Sequence, residues 1–481
     1  MKKIVISLSL LCGLLSVNPA YANSKTGLTI YQVMQRVLDR YPSLKISEME
    51  VAQAAEQRQQ VESSLGWILN SSAGITHDLT GLGTPSDRLD LNAALSRQLK
   101  SGASLSLSGG YRYEDSSLVF SPSFPNPAHT TRLDLSYRMP LAQGQDNPMY
   151  TEGIISSEAG YEIARAKQLL TRITLAEQVK DLFHASLMTQ AQLENAKQAV
   201  VRTRKLSDYI HKNFNLGLAE EKDQLQVKAQ LHSILADLSA IELQWQQQQT
   251  SLNRLMLEDW NNEIKPALIR TDNKTKYNIN SLIKTTEQYH PVVKISQAQL
   301  HIAESQINTA RDSQQDNLDL VLSVGTRTSD GDSSTGTVSE QDWAGSVSIE
   351  YKHLFDEKGV SSKYKQALLQ KNIALENIVK ANDDIRYTVS GLVSEIRAAQ
   401  LAVDSARQKL KSESLKLKEA EKRFRNGRAD TAQLIQFQNE YSFAELTYQT
   451  QKVDLNNRII ALQIFTGKFW DEIANYHGVK K

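Results

Sequence analysis

Side chains able to do covalent or acid–base chemistry are present but scattered. His184, His211, His232 and His301 fall singly on helical stretches, where a solvated or packed imidazole is far commoner than a metal ligand. Gly467-Lys468 has Leu462 where a phosphate-cradling loop needs its first glycine. The chain also lacks a Gly-x-Ser-x-Gly elbow, a His-Glu-x-x-His pair and a cysteine pair. No enzyme activity, cofactor or metal is therefore expected, and the chemistry left is recognition. Two Phe-x-x-Gly segments stand out for it: Phe214-Asn215-Leu216-Gly217, followed by Leu218, and Phe424-Arg425-Asn426-Gly427, followed by Arg428. Each puts glycine where a helix end favours left-handed backbone. Polar residues follow closely, Asp223 after the first turn and Asp430 and Gln433 after the second.

Long helices must position these turns. From about Ser157 to Phe214, apolar residues including Ala166, Val179, Leu193, Val200 and Ile210 recur at three- and four-residue steps with no proline between them. A helix of that size, about 80 Å long at 1.5 Å per residue, outruns a compact domain and needs neighbours to coil on. A partner is expected from about Ala219 to Leu257, and the pattern returns from Lys363 to Phe424 and from Thr431 to Phe465. Helices alone also suit a coiled coil without a pore.

Strand patterns change that balance. Leu89 to Leu95, Leu105 to Tyr113, Leu133 to Met139, Leu318 to Val324 and Trp343 to Tyr351 alternate apolar with polar residues, and Trp67 to Leu79 does so more weakly. Runs of this length suit a barrel with lipid outside and water inside. Phe120 to Pro127 and Ser329 to Ser339 are expected as exposed loops between strands. So few strands cannot close a conducting barrel, and an open sheet in lipid leaves its edge amides unsatisfied. Several chains must share one.

The amino terminus points to export: Lys2 and Lys3, an apolar run from Ile4 to Val17, then Ala20-Tyr21-Ala22, the pattern of a signal peptide over residues 1–22. The only cysteine, Cys12, falls within it, so no disulfide is expected in the mature chain. Net charge is +1, about −1 without the two lysines, and argues against nucleic-acid binding. Hydrophobic residues make up 40% of the chain, as suits solvated helices with narrow apolar seams.

The sequence is internally duplicated, with repeats expected at 23–270 and 271–481. Pro42 lies over Pro291, Met139-Pro140-Leu141 over Lys352-His353-Leu354, and the two Phe-x-x-Gly turns over each other. The offset shrinks from 249 to 213 between the first two anchors, which leaves about 36 extra residues in the first repeat.

The duplicated order, the starts at Pro42 and Pro291, the Met139-Pro140-Leu141-Ala142-Gln143-Gly144 transition and the Phe-x-x-Gly turns together resemble the TolC-like outer membrane efflux proteins. That resemblance implies a mainly α fold with a β-barrel portion. Long antiparallel helical hairpins would form a periplasmic coiled-coil tunnel below a barrel shared by a homotrimer in outer-membrane lipid. It implies the outer-membrane channel of a tripartite efflux or type I secretion system, partnered by a periplasmic adaptor and an inner-membrane transporter of RND or ABC type. Phe214, Leu216, Gly217, Leu218, Phe424, Asn426, Gly427 and Arg428 would be the adaptor-docking tips. Asp223, Arg428, Asp430 and Gln433 would set the periplasmic entrance, Arg428 and Asp430 as an ion pair, since Gln433 and Gln436 stand where acidic residues are expected. The competing reading is a periplasmic adaptor with similar hairpins. Depending on where the extra hairpin from Arg88 to Tyr113 goes, three copies would share about 12 or about 18 strands.

Overall fold

The computed structural model describes residues 27–79, 85–117, 124–268 and 275–478. The expected signal peptide, the boundary between the two repeats and Phe120 to Ser123 of the first expected loop lie outside them. The first repeat runs α1 (Ile30–Arg40), α2 (Pro42–Ser63), β1 (Ile68–Leu79), β2 (Pro85–Gln98), β3 (Ser104–Ser116), β4 (Ala128–Pro140), α3 (Pro148–Asn215) and α4 (Glu221–Met256). The second runs α5 (Ile279–Tyr289), α6 (Pro291–Asp312), β5 (Asn317–Ser333), β6 (Gly336–Lys352), α7 (Lys358–Arg425) and α8 (Thr431–Phe465), and α9 (Lys468–Gly478) closes the chain.

Local chemistry explains the breaks. Tyr41 and His290 are extended and the following prolines sit first in α2 and α6, where a helix needs no N–H and proline's fixed φ fits. Asn147, in left-handed backbone, caps α3 by accepting from Tyr150 N at 3.1 Å. The helix therefore starts earlier than apolar periodicity alone indicates. Both α3 and α7 have 68 residues, about 100 Å each. Among the described residues no helix is long and apolar enough to cross a membrane.

The four helices nearest the sheet form an arc, α2 against α3, α3 against α6 and α6 against α7. Ties include Arg58 to Glu158 at 3.6 Å, Thr309 Oγ1 donating to Pro148 O at 3.4 Å, and Lys371 to Glu304 at 3.0 Å. At the far end the arc is α4, α3, α8 and α7. Two cores lie between these ends. One packs Val33, Met34 and Val37 of α1 on Val179, Phe183, Ile460 and Phe469; the other surrounds Val389, Val393 and Ile396 of α7. Fully burying one such side chain stabilises by about 1.5–3 kcal/mol. Tyr31, tilted against Phe469 with ring centroids 5.5 Å apart, has its phenol pushed up to about 12 by burial. Burial lowers the pKa of His184, so it packs as a neutral seam residue.

The six strands of the described residues form one antiparallel sheet in chain order, and β4 paired with β5 joins the two halves of the chain from Ala128↔Gly331 to Pro140↔Asp319. Register places Leu91, Tyr111, Thr131 and Thr328 on one face, with Leu107, Leu135, Val324 and Gly345 further along it. The other face carries Arg112 paired with Asp90 at 2.7 Å, and Arg138 held by Asp319 and Glu350, both at 2.7 Å. The weaker run from Trp67 to Leu79 holds a full strand, as expected. One difference from the pattern reading appears: Ser329 to Ser339 is strand on both sides of a tight turn rather than a loop. Ser339 Oγ donates to Asp330 at 2.6 Å and Thr337 Oγ1 to Asp332 at 3.0 Å across that hairpin. Its turn-like composition hides residues that are paired across strands.

Candidate functional site at the hairpin tips

α3 and α7 each run from the sheet to a tip, where α4 and α8 return. The two turns share one backbone design. Gly217 N donates to Phe214 O at 2.9 Å and Leu218 N reaches Asn213 O at 2.8 Å; Gly427 N donates to Phe424 O at 3.0 Å and Arg428 N to Arg423 O at 2.9 Å. This double closure is the Schellman arrangement, and it needs left-handed backbone at the glycine. Gly217 and Gly427 provide it at φ 70° and 68°.

Side chains then differ. At the first tip Leu216 and Leu218 are 72% and 75% exposed and Phe214 is exposed as well. At the second, Asn426 and Arg428 are exposed, while Phe424 is half-buried against Tyr209 with ring centroids 5.8 Å apart. The tips lie side by side over a third core of Leu206, Ile210, Val227, Leu417, Leu434 and Ile435. His211 links the arms of the first hairpin, its Nδ1 accepting from Gln224 Nε2 at 2.8 Å.

The four expected entrance residues fall on both tips. Asp223 closes a capping box at the start of α4, its carboxylate accepting from Glu220 N at 3.4 Å. Asp430 caps α8 by accepting from Gln433 N at 2.6 Å. Arg428 and Gln433 are exposed. Among the described residues Arg428 makes no ion pair with Asp430, whose Oδ1 accepts from Gln433 N at the helix end. Glu220 chiefly, with Asp223 and Asp430 also contributing, raises the pKa of Lys222, which places charge from both tips in one neighbourhood.

Sequence patterning missed the polar contacts about two to five turns behind the tips. Lys416 binds Glu413 at 2.6 Å on its own helix, reaches Glu440 across the hairpin and lies over Phe437. These contacts raise the Lys416 pKa and lower that of Glu440. Arg202 of α3 reaches Ser442 and stacks 5.3 Å from the Tyr441 ring of α8, and Asn195 Nδ2 donates to Ser442 O at 2.9 Å. Phe437, Glu440 and Tyr441 recur at helical spacing, but nothing local names their partners. Among the described residues no group of three or more histidine, cysteine or acidic side chains is placed to hold a metal.

Residues 282–468 match the family model of the outer membrane efflux proteins. No curated protein matches the sequence. The solved outer-membrane channel OprN is similar at a TM-score of 0.67 and 16% identity, covering 91% of this chain and 89% of that one. VceC, an outer membrane protein of Vibrio cholerae, aligns at TM-score 0.66 and 14% identity over 91% of this chain and 96% of that one. The outer membrane channel CmeC of Campylobacter jejuni gives 0.63 and 16% over 97% and 94%.

Proposed function

We propose, from the premise that this chain carries an outer membrane efflux protein domain and has the fold of outer-membrane channels along its described length, that three copies form one passive export duct. It crosses the outer membrane as a shared barrel and the periplasm as a helical tunnel. The observation that carries this reading is the sheet, apolar on one face and charged on the other, set on paired helices about 100 Å long. A lipid-facing wall with a wet interior has that two-faced pattern.

The tips are the docking and gating end. Exposed Leu216 and Leu218 offer an apolar patch to a periplasmic adaptor, and Asn426 and Arg428 a polar one. Asp223, Arg428, Asp430 and Gln433 line the entrance, where interactions between copies hold it shut at rest. The duct does no catalysis, and an inner-membrane transporter supplies the driving force.

Reconstitution tests this. Purified protein in planar bilayers should conduct, and particle images should show a threefold tube longer than 100 Å. Asp223→Ala combined with Arg428→Ala should raise conductance; no change would remove these residues from the entrance. A water-soluble monomer would sink the duct itself.

A further inference from the structure

Among the described residues the first half of the chain contributes four strands and the second two. We propose that the additional hairpin is part of the membrane wall, so that β1 of one copy pairs with β6 of the next and three copies close a barrel of about 18 strands. This rests on the trimeric duct reading above. Four independent features of the chain support it.

β2 and β3 lie inside the sheet, paired along their length with β1 and β4. They are not a flap added at its edge. Their connecting turn is also anchored at the junction with the helices. Asp146 N donates to Ser101 O at 3.1 Å, and Arg97 Nε donates to Leu65 O at 2.9 Å. Ala103 is fully buried there, and a Cβ on Gly102 would stand 2.0 Å from Gly144 O. A hairpin fastened at this level rises with its neighbours.

Parity agrees. Six alternating strands per copy leave β6 running opposite to the next copy's β1, so the seam continues the antiparallel ladder that every internal pair follows.

Width agrees as well. Strands about 4.8 Å apart and tilted about 40° give six of them about 38 Å of circumference. The four helices beneath, α2, α3, α6 and α7, span about 32–40 Å at interaxial distances of 8–10 Å.

Finally, exposure of the apolar face rises at the two edges. Ile75 on β1 and Val347 on β6 are 86% and 75% exposed, against 40% for Leu107 and 42% for Leu135 within the sheet. A neighbouring copy's strand supplies the missing flank on both sides.

Cysteine pairs test the seam. Asn70→Cys, Ser72→Cys or Gly74→Cys on β1 is combined with Ala344→Cys or Ser346→Cys on β6, all on the polar face, in the full-length protein in its membrane. Oxidation should move the chain to bands of two and three times its mass, while Ser106→Cys or Ser108→Cys on β3 with the same β6 positions should not. Linkage through β3 would place β1 and β2 outside the wall and overturn the proposal. So would a heat-modifiable trimer that links through neither set, or an image with about 12 strands. A protein that never forms a membrane-bound trimer defeats the duct reading instead.

Discussion

The sheet and the hairpin tips sit at opposite ends of α3 and α7, and they treat backbone hydrogen bonding in opposite ways. At the tips the chain satisfies its own turns: Leu218 and Arg428 donate back into their helices, and Asp430 takes the N–H of Gln433. At the sheet, β1 and β6 are edges of the described ladder, and in lipid each unpaired backbone group costs several kcal/mol. In the proposed duct one end is therefore complete only in an assembly, whereas the other presents turns finished within one chain. A duct needs both, a wall that never opens and an entrance that does.

Substitutions should separate the two ends, and the largest effect belongs to the sheet. Val347→Arg on the apolar face should cost about 2–4 kcal/mol, whereas Ser348→Arg, one residue along on the polar face, should stay within about 0.5 kcal/mol. The folded fraction in vesicles across a urea series measures both, and equal losses would erase the distinction between faces. At the tips, Gly217→Ala and Gly427→Ala each place a Cβ in left-handed backbone at about 1–2 kcal/mol. Thermal unfolding should show similar shifts, since the two turns share one geometry. Asp430→Ala should cost about 1 kcal/mol through loss of the α8 cap, measured the same way. If it changes conductance and leaves stability intact, its role is between copies instead.

The smallest effect is a pH dependence behind the second tip. Glu440 has its pKa lowered by Lys416, so its contribution is complete above the ordinary carboxylate range and fades as pH falls through the depressed value. Lys416, raised chiefly by Glu413 and then by Glu440, keeps its contribution until pH climbs past the usual lysine range. The hairpin should thus be indifferent to pH from about 5 to 10. Below that range it should loosen by less than about 1 kcal/mol, because the pair is solvent-screened. Glu440→Gln should flatten the acid limb in a hydrogen-exchange titration of α8.

Much of this architecture was legible in the residues. α8 spans Thr431–Phe465, the same residues as its apolar pattern, and five of the six strands carried clear alternation. The Phe-x-x-Gly turns fall at the helix ends, as glycine's left-handed freedom requires. Periodicity, caps and glycine placement depend on neighbours within a few residues, so the chain states them locally. What only the tertiary structure decided is who lies beside whom. The ladder from β4 to β5 that joins the repeats, the reach of Lys416 to Glu440, and the conversion of Ser329 to Ser339 from apparent loop into paired strand all join residues distant in the chain or paired across a turn. Backbone groups do not differ from one residue to the next in a way that names a partner. Register emerges only when whole elements bury their apolar faces together, and that is a property of the assembled fold.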